Sequence, residues 1–310
     1  MIRLEGGWEI RIVHLNNIAG VAGDLRDYQR EQGHDALVLA HKRYSMQEPD
    51  FPLVLDGFVG FNLELLFHLP LLRSADIIHI HGGIRRSQVV LRTLKRKSKA
   101  RWILHYHGSE SRMGYGMHHR DLADAKIIST PDLIKWHPDA VWLPNPISEV
   151  FEEPVQPRPD RPTLLRIGHF PTKRSIKGTD MIQKALASLV QERKVELIIV
   201  EKKTHKETMS IMRRVDVVVD QLNNLSIFSK VALEAMAIGV PAISSYDDSM
   251  FPQDCPVLKA NSEGDLGNQV LGILENGIEE DLRERCMNYV RRYHNPRHVV
   301  RKLSEIYASA

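Results

Sequence analysis

Three groups of residues in this chain have types and spacings that could do chemistry. The first lies in Gly168-His-Phe-Pro-Thr-Lys-Arg-Ser-Ile-Lys-Gly-Thr-Asp180. Here Lys173, Arg174 and Lys177 crowd a turn that leads into a helix, with Thr179 expected as its N-cap. Cationic side chains beside the positive end of a helix make an anion site, and phosphate is the natural occupant. The order of glycine and lysine rules out a Walker A loop, and a solvated basic loop is the plain structural alternative. The second group is Val231-Ala-Leu-Glu-Ala-Met-Ala-Ile-Gly-Val-Pro-Ala-Ile-Ser-Ser245. Leu233, Met236 and Ala237 have helical spacing and can face a core, while Glu234 is set off that stripe. Gly239 and Pro241 then end the helix. An acid near a helix start, beside free backbone N–H groups, can hold a sugar hydroxyl next to a bound phosphate. The alternative is an ordinary α/β packing unit with a solvated glutamate.

The third group is histidine. His79 and His81, then His105 and His107, fall at strand ends, and alternate residues of a strand share a face. Imidazoles so placed are zinc ligands in type, but neither a Glu-anchored helix motif nor a cysteine partner accompanies them. Packing or backbone bonding is the expectation for most, with no metal. His107 is singled out as a polar contact or proton carrier beside a reacting group.

These residues need a scaffold, and the chain supplies a repeated one. Ile10–Leu15, Ala36–Ala40, Asp76–Ile80, Trp102–Tyr106, Lys126–Ser129 and Val141–Leu143 read as strands alternating with helical patterns. The turn Asn16–Gly23, which contains Gly20, lacks dinucleotide spacing. Its small residues either admit a substrate or allow tight strand–helix packing. Phe151–Pro162 holds four prolines and reads as a linker. The alternation then restarts with Leu164–Ile167, Val195–Val200, Asp216–Val219 and Val240–Ser244, and the chain is helical from Asp265 onward. Two Rossmann-like α/β halves with a cleft between them are expected, each a mostly parallel sheet. Their ligands would sit at the C-terminal ends of the strands.

The bulk numbers agree with a globular protein of two domains. The chain has 310 residues, 43% hydrophobic and 26% charged. Lys plus Arg number 42 and Asp plus Glu 39, so a formal charge of +3 makes no demand for nucleic acid. Cys255 and Cys286 give neither a zinc site nor a disulfide framework. No apolar signal region or membrane-spanning run is visible, so a cytoplasmic protein is expected. Arg85 to Arg101 is densely basic and Phe58–Leu72 is rich in Phe and Leu. Together they could dock on an anionic inner membrane face, or they are a solvated helix face and a core helix.

With these pieces in place, the chain resembles the GT-B fold glycosyltransferases, close to glycosyltransferase family 4, over essentially its whole length. The residues that carry the resemblance are Arg11–Ala22, Asp76-Ile-Ile-His-Ile-His81, His105-Tyr-His-Gly-Ser109, Leu143-Pro-Asn-Pro-Ile147, Lys177-Gly-Thr-Asp180, Val231–Ser245 and Tyr293-His-Asn-Pro296. It implies an acceptor-binding domain over 1–150, a nucleotide-sugar-binding domain over 163–292, and a C-terminal helix over 293–310 that returns to the first. It implies a retaining, hexosyltransferase-type enzyme of glycan biosynthesis that moves a sugar from a nucleotide-diphosphate sugar to an unidentified glycan, lipid or protein acceptor. In that scheme Gly20, His169, Lys173 and Lys177 bind the donor, Lys177 at the diphosphate. Val231 and Ala232 offer backbone N–H groups, Glu234 holds the ribose, His107 lies near the donor sugar, and no metal or other cofactor is needed. Two positions depart from the family pattern. Ser226 stands where the first acid of a Glu–seven residues–Glu motif belongs, with Ile227 and Ser229 in place of glycines. His169 replaces an arginine, making phosphate binding pH-dependent. A catalytically degenerate nucleotide-binding protein is therefore the second reading, and a nucleotide-sugar epimerase the third.

Overall fold

The computed structural model describes residues 9–41, 48–55, 57–82, 88–114, 121–155, 164–223, 227–279 and 281–310. The chain divides into two compact units, Met1–Pro146 with Pro296–Ala310, and Ile147–Asn295. The boundary thus falls ahead of the proline-rich stretch, of which 156–163 lies outside the described residues.

The first unit is built on seven strands: β1 (Arg11–Leu15), β2 (Asp35–His41), β3 (Phe51–Leu53), β4 (Ile77–His81), β5 (Arg101–Tyr106), β6 (Ala125–Ile128) and β7 (Val141–Trp142). Their order is β3-β2-β1-β4-β5-β6-β7, with every pair parallel. Parallel strands need crossovers, so both sheet faces are covered and both are apolar. Val13, Ile78, Ile80, Leu104 and Ile128 belong to one core. Ile12, Ile77, Ile103 and Ile127, of the opposite parity, share another with Leu25 and the stripe Val299, Val300, Leu303, Ile306 and Tyr307. That stripe has the 3.6-residue period of one helix face, which is why the last helix, Pro296–Ser309, belongs to this unit. Edge strand β3 was not expected from the sequence; Pro52 sits within it, where an edge tolerates a missing N–H.

The second unit carries β8 (Leu165–His169), β9 (Val195–Ile199), β10 (Val217–Gln221), β11 (Ala242–Ser244) and β12 (Leu258–Lys259). The order is β12-β11-β10-β8-β9, again all parallel. The helix Lys230–Ala237 buries Leu233, Met236 and Ala237 against Leu282, Cys286 and Val290. It ends as its sequence requires. Gly239 takes φ +80°, its N–H bonds to Met236 O at 3.1 Å, and that of Val240 bonds to Ala235 O at 2.9 Å. One expectation is corrected here: Thr179 does not cap the helix Thr179–Gln191 but is its first residue. Gly178, at φ +67° and ψ 34°, occupies the cap position. Both sheets and their helices match the α/β architecture expected from the alternation.

Candidate active site

The second unit gathers its chemistry around an acid that the sequence did not flag. At the C-terminal end of β10 the register against β11 shifts between Val219 and Gln221, which sets Asp220 apart as a bulged residue. Its carboxylate is buried, 1% exposed. It accepts from Lys177 Nζ at 2.8 Å, Ser229 N at 2.7 Å, Ser229 Oγ at 2.5 Å and Ser244 Oγ at 3.3 Å. Burial alone would raise its pKa, but the Lys177 ammonium and the Ser229 bonds outweigh burial and hold it below the usual range. Ser229 is the N-cap of the helix that bears Glu234, yet its hydroxyl is turned to Asp220 and caps no helical N–H. Asp220 therefore ties the Lys177 turn to the start of that helix. A strand-end acid next to the expected strand Asp216–Val219 was the available signal.

Lys177 itself is 7% exposed and also donates to Gln221 Oε1 at 3.1 Å. Two of its three N–H donors are thus accounted for by Asp220 and Gln221. Lys173 is exposed at the N-cap of the short helix Arg174–Lys177, and Arg174 pairs with Glu201 at 2.6 Å. Val231 and Ala232 lie in the first turn of Lys230–Ala237, where the Ala232 N–H bonds back to Ser229 O at 3.1 Å. Ser226 lies outside the described residues.

His169 requires a correction. Its ring is fully buried. Nδ1 donates to Val219 O at 2.8 Å, and Nε2 meets Thr179 Oγ1 at 2.9 Å. A ring whose Nδ1 serves a carbonyl must accept at Nε2, so the Thr179 hydroxyl donates. Burial pushes its pKa down, and it stays neutral. His169 pins β8 to β10 and to the Gly178 turn, and neither nitrogen faces a phosphate.

Glu234 is buried at 3% exposure, so the solvated alternative is excluded. It has company from far along the chain. His205 Nε2 lies 3.3 Å from Glu149 Oε1 and 3.4 Å from Glu234 Oε1, and Lys230 Nζ is 3.8 Å from Glu234. His205 is set by a capping box in which Thr204 and Glu207 exchange side-chain and backbone bonds. Burial, and then the charge of Glu234, push the Glu149 carboxyl up to about 7. The Glu234 carboxylate raises His205. Glu149 is thus protonated more readily when folded than when unfolded, so folding weakens as pH rises from 4.5 to about 7. His205 adds a loss of the same sign at higher pH. Glu149→Gln is expected to remove the slope due to Glu149 and to stabilise the protein at pH 8. The gain is about 3–4 kcal/mol, at about 1.4 kcal/mol for each pH unit between the two values. Urea unfolding at pH 5 and pH 8 checks this, and parallel pH dependences in the two proteins would refute it.

The remaining expected site residues belong to the first unit. Gly20 takes φ 76° at the N-cap of Val21–Glu31, where Asn17 Oδ1 accepts from Ala22 N at 3.0 Å. His107 follows β5 and is half-buried. Its Nε2 is 3.0 Å from His81 Nδ1, and its Nδ1 is 2.9 Å from Ser129 Oγ. Around it His14, His79, His81 and His105 are all fully buried. Burial pushes His14 down to about 4 and holds the other three well below the ordinary imidazole range. Among the described residues, His14/His79/His81, His81/His105/His107 and Glu149/His205/Glu234 each bring ligand atoms within 4.8 Å of one another.

No protein-family model matches the chain, and no curated protein sequence matches it. Solved structures do. Anabaena HepE in complex with UDP and glucose superposes with a TM-score of 0.68 at 12% identity, covering 97% of this chain and 100% of that one. An alpha-glucosyltransferase in complex with UDP and a 13-mer DNA gives 0.68 at 13% identity, with coverage of 97% and 100%. The spinosyn rhamnosyltransferase SpnG with thymidine diphosphate gives 0.54 at 11% identity, with coverage of 95% and 100%. At these identities the likeness is one of fold: two parallel sheets with their helices, as in glycosyltransferases of GT-B type.

Proposed function

We propose that this protein is a glycosyltransferase that moves a sugar from a nucleotide-diphosphate donor to an acceptor, with retention at the anomeric carbon. The observation that carries the reading is the bulged Asp220, which joins the Lys177 turn to the helix bearing Glu234. Lys177 has one N–H donor beyond Asp220 and Gln221 for a diphosphate oxygen, and the helix start beside it favours the same charge. A fixed cation there stabilises the charge that develops on the leaving diphosphate as the glycosidic bond breaks. Glu234 accepts from the ribose hydroxyls, and no metal takes part. Because HepE structures hold UDP and UDP-glucose, uridine nucleotides are the first donors to try.

Calorimetry tests the site. The parent is expected to bind at least one of UDP, GDP, ADP and dTDP, and Glu234→Ala is expected to weaken that nucleotide about tenfold or more while leaving pyrophosphate unaffected. Equal nucleotide affinity in parent and variant would remove Glu234 from the site. A non-catalytic nucleotide-binding protein is the second reading, favoured by Ser226 in place of an acid and by a neutral His169 in place of arginine. Binding without turnover would select it.

We further propose peripheral attachment to an anionic membrane surface. Among the described residues no helix is long and apolar enough to cross a membrane. The helix Gly57–Phe67 instead exposes Val59, Leu63, Leu66 and Phe67, which share one face. Equal co-sedimentation with neutral and anionic liposomes would count against attachment.

A further inference from the structure

The face of the first sheet that carries Ile12, Ile77, Ile103 and Ile127 changes character along its strands. Two residues further on in each strand, the same face presents His14, His79, His105 and Ser129, and then His81 and His107. The register sets His14 beside His79, and His81 beside His105. The rings approach closely, with His79–His81 and His105–His107 centroids both 4.3 Å apart. Their nitrogens form one chain. His105 Nε2 is 2.9 Å from Ser129 Oγ, and that hydroxyl is 2.9 Å from His107 Nδ1. His107 Nε2 is 3.0 Å from His81 Nδ1, and His81 Nε2 is 2.9 Å from His14 Nδ1. His14 Nε2 ends the run 2.8 Å from the Gln29 side-chain amide. Gln29 also touches Tyr307 OH at 3.3 Å, and that hydroxyl is 2.7 Å from His79 Nδ1.

A neutral imidazole has one donor and one acceptor nitrogen. Along such a chain each ring's choice dictates the next, and a hydroxyl passes the direction on. With the Gln29 oxygen toward His14, all five histidines carry their proton on Nε2, Ser129 donates to His107, and Tyr307 donates to His79. With the amide turned over, all five carry it on Nδ1 and both hydroxyls reverse. Any mixed arrangement either sets two donors or two lone pairs against each other, or makes a hydroxyl accept twice and leaves its own proton without an acceptor in a dry core. In both uniform states the chain ends fall on the two buried nitrogens without a partner, His79 Nε2 and His105 Nδ1.

We propose that the five histidines share a single tautomer, selected by the Gln29 amide, and that Gln29, His14, His81 and Ser129 are positioning residues that decide which nitrogen of His107 bears the proton. His107 is the only one of the five rings that is not fully buried, so this is where the chain meets its surroundings. The importance of His107 to a donor sugar rests on the glycosyltransferase reading; the shared tautomer does not. Burial keeps the inner rings uncharged, so the ladder transmits orientation rather than net charge.

Ring-¹⁵N histidine spectra of the full chain, recorded without any sugar nucleotide, test this. His14, His79, His81, His105 and His107 are expected to show one tautomer, or one common averaged pattern, unchanged from pH 7 to pH 5.5 for the four buried rings. Ser129→Ala is expected to uncouple His105 from the other rings, and Ser129→Thr to restore the parent pattern. Tyr307→Phe is expected to uncouple His79 alone, which keeps the proposal testable if Ser129→Ala does not fold. Different tautomers among His14, His81 and His107 in the parent would overturn it. So would stoichiometric zinc uptake that shifts these rings at micromolar ion, which would mark the ladder as a metal site. Failure to turn over sugar nucleotides would leave these spectra unchanged and would count only against the transferase reading.

Discussion

Lys177→Met is expected to lose about 3–5 kcal/mol of stability at neutral pH and to weaken nucleotide-diphosphate binding by roughly ten- to a hundredfold. The stability loss comes from Asp220. With Lys177 present, that buried carboxyl is held below its ordinary range, so its contribution is fully present above about pH 4 and is lost only as pH falls through its folded value. Without the ammonium, burial dominates and the folded value rises above the unfolded one. The variant then loses stability as pH climbs through that raised value. The gap between parent and variant should therefore be small near pH 4 and full at pH 7.5. Removing the charge with Asp220→Asn in the Lys177→Met background should recover part of the loss, because the pair is coupled. Urea unfolding of the parent, Lys177→Met, Asp220→Asn and the double variant at pH 4.5 and 7.5 provides the check. A gap that does not change with pH would mean that Asp220 is not the group left stranded. Calorimetry with UDP and GDP, run well below the variant's melting temperature, reads the binding loss separately.

Gly178→Ala is the second large effect, about 2–5 kcal/mol. Gly178 holds φ +67°, and a Cβ there would stand 1.8 Å from Leu222 O and 2.7 Å from Leu222 C. Both are backbone atoms and cannot rotate away. The left-handed conformation adds about 1–2 kcal/mol for a residue with Cβ, and the overlap about 1–3 kcal/mol more. The approach is close because Leu222 N donates to Lys177 O at 3.0 Å, so the turn and the end of β10 are laced together one residue away. Forcing them apart also separates Lys177 from Asp220. The variant should lose nucleotide affinity along with stability. Gly33→Ala is the control: φ is +83°, but nothing lies within 4 Å of a Cβ, so only the conformational cost of about 1–2 kcal/mol is expected. Similar losses at the two positions, measured by urea unfolding, would show that the contact with Leu222 does not matter.

The fold was largely legible because parallel strands buried on both faces write themselves as apolar runs at regular spacing. What escaped were the weak edges, β3 with Pro52 and the two-residue β12, where there is too little chain to carry a pattern. At the candidate site, Glu234 and Lys177 could be picked out from local cues, a helix start and a basic turn. For Asp220 the local cue was only its place at a strand end, because its role depends on a bulge and on Ser229 nine residues away. His169 was misread for the same reason: its partners, Val219 and Thr179, are 50 and 10 residues distant. The paired spacing of His79 with His81, and of His105 with His107, did predict a shared face. Joining them to His14 required the order β1-β4-β5, and joining His79 to Gln29 required Tyr307, 278 residues further along. No local window contains such contacts.

Transfer from a nucleotide sugar is read by following nucleotide release from a panel of UDP-, GDP-, ADP- and dTDP-sugars. The assay should include candidate glycan and lipid acceptors and read the anomeric configuration of any product. Release of one nucleotide type is expected, with loss of that release in Lys177→Met and a product that has the anomeric configuration of the donor. No turnover of any donor would contradict transfer, and no calorimetric binding of any nucleotide would contradict the nucleotide site as well.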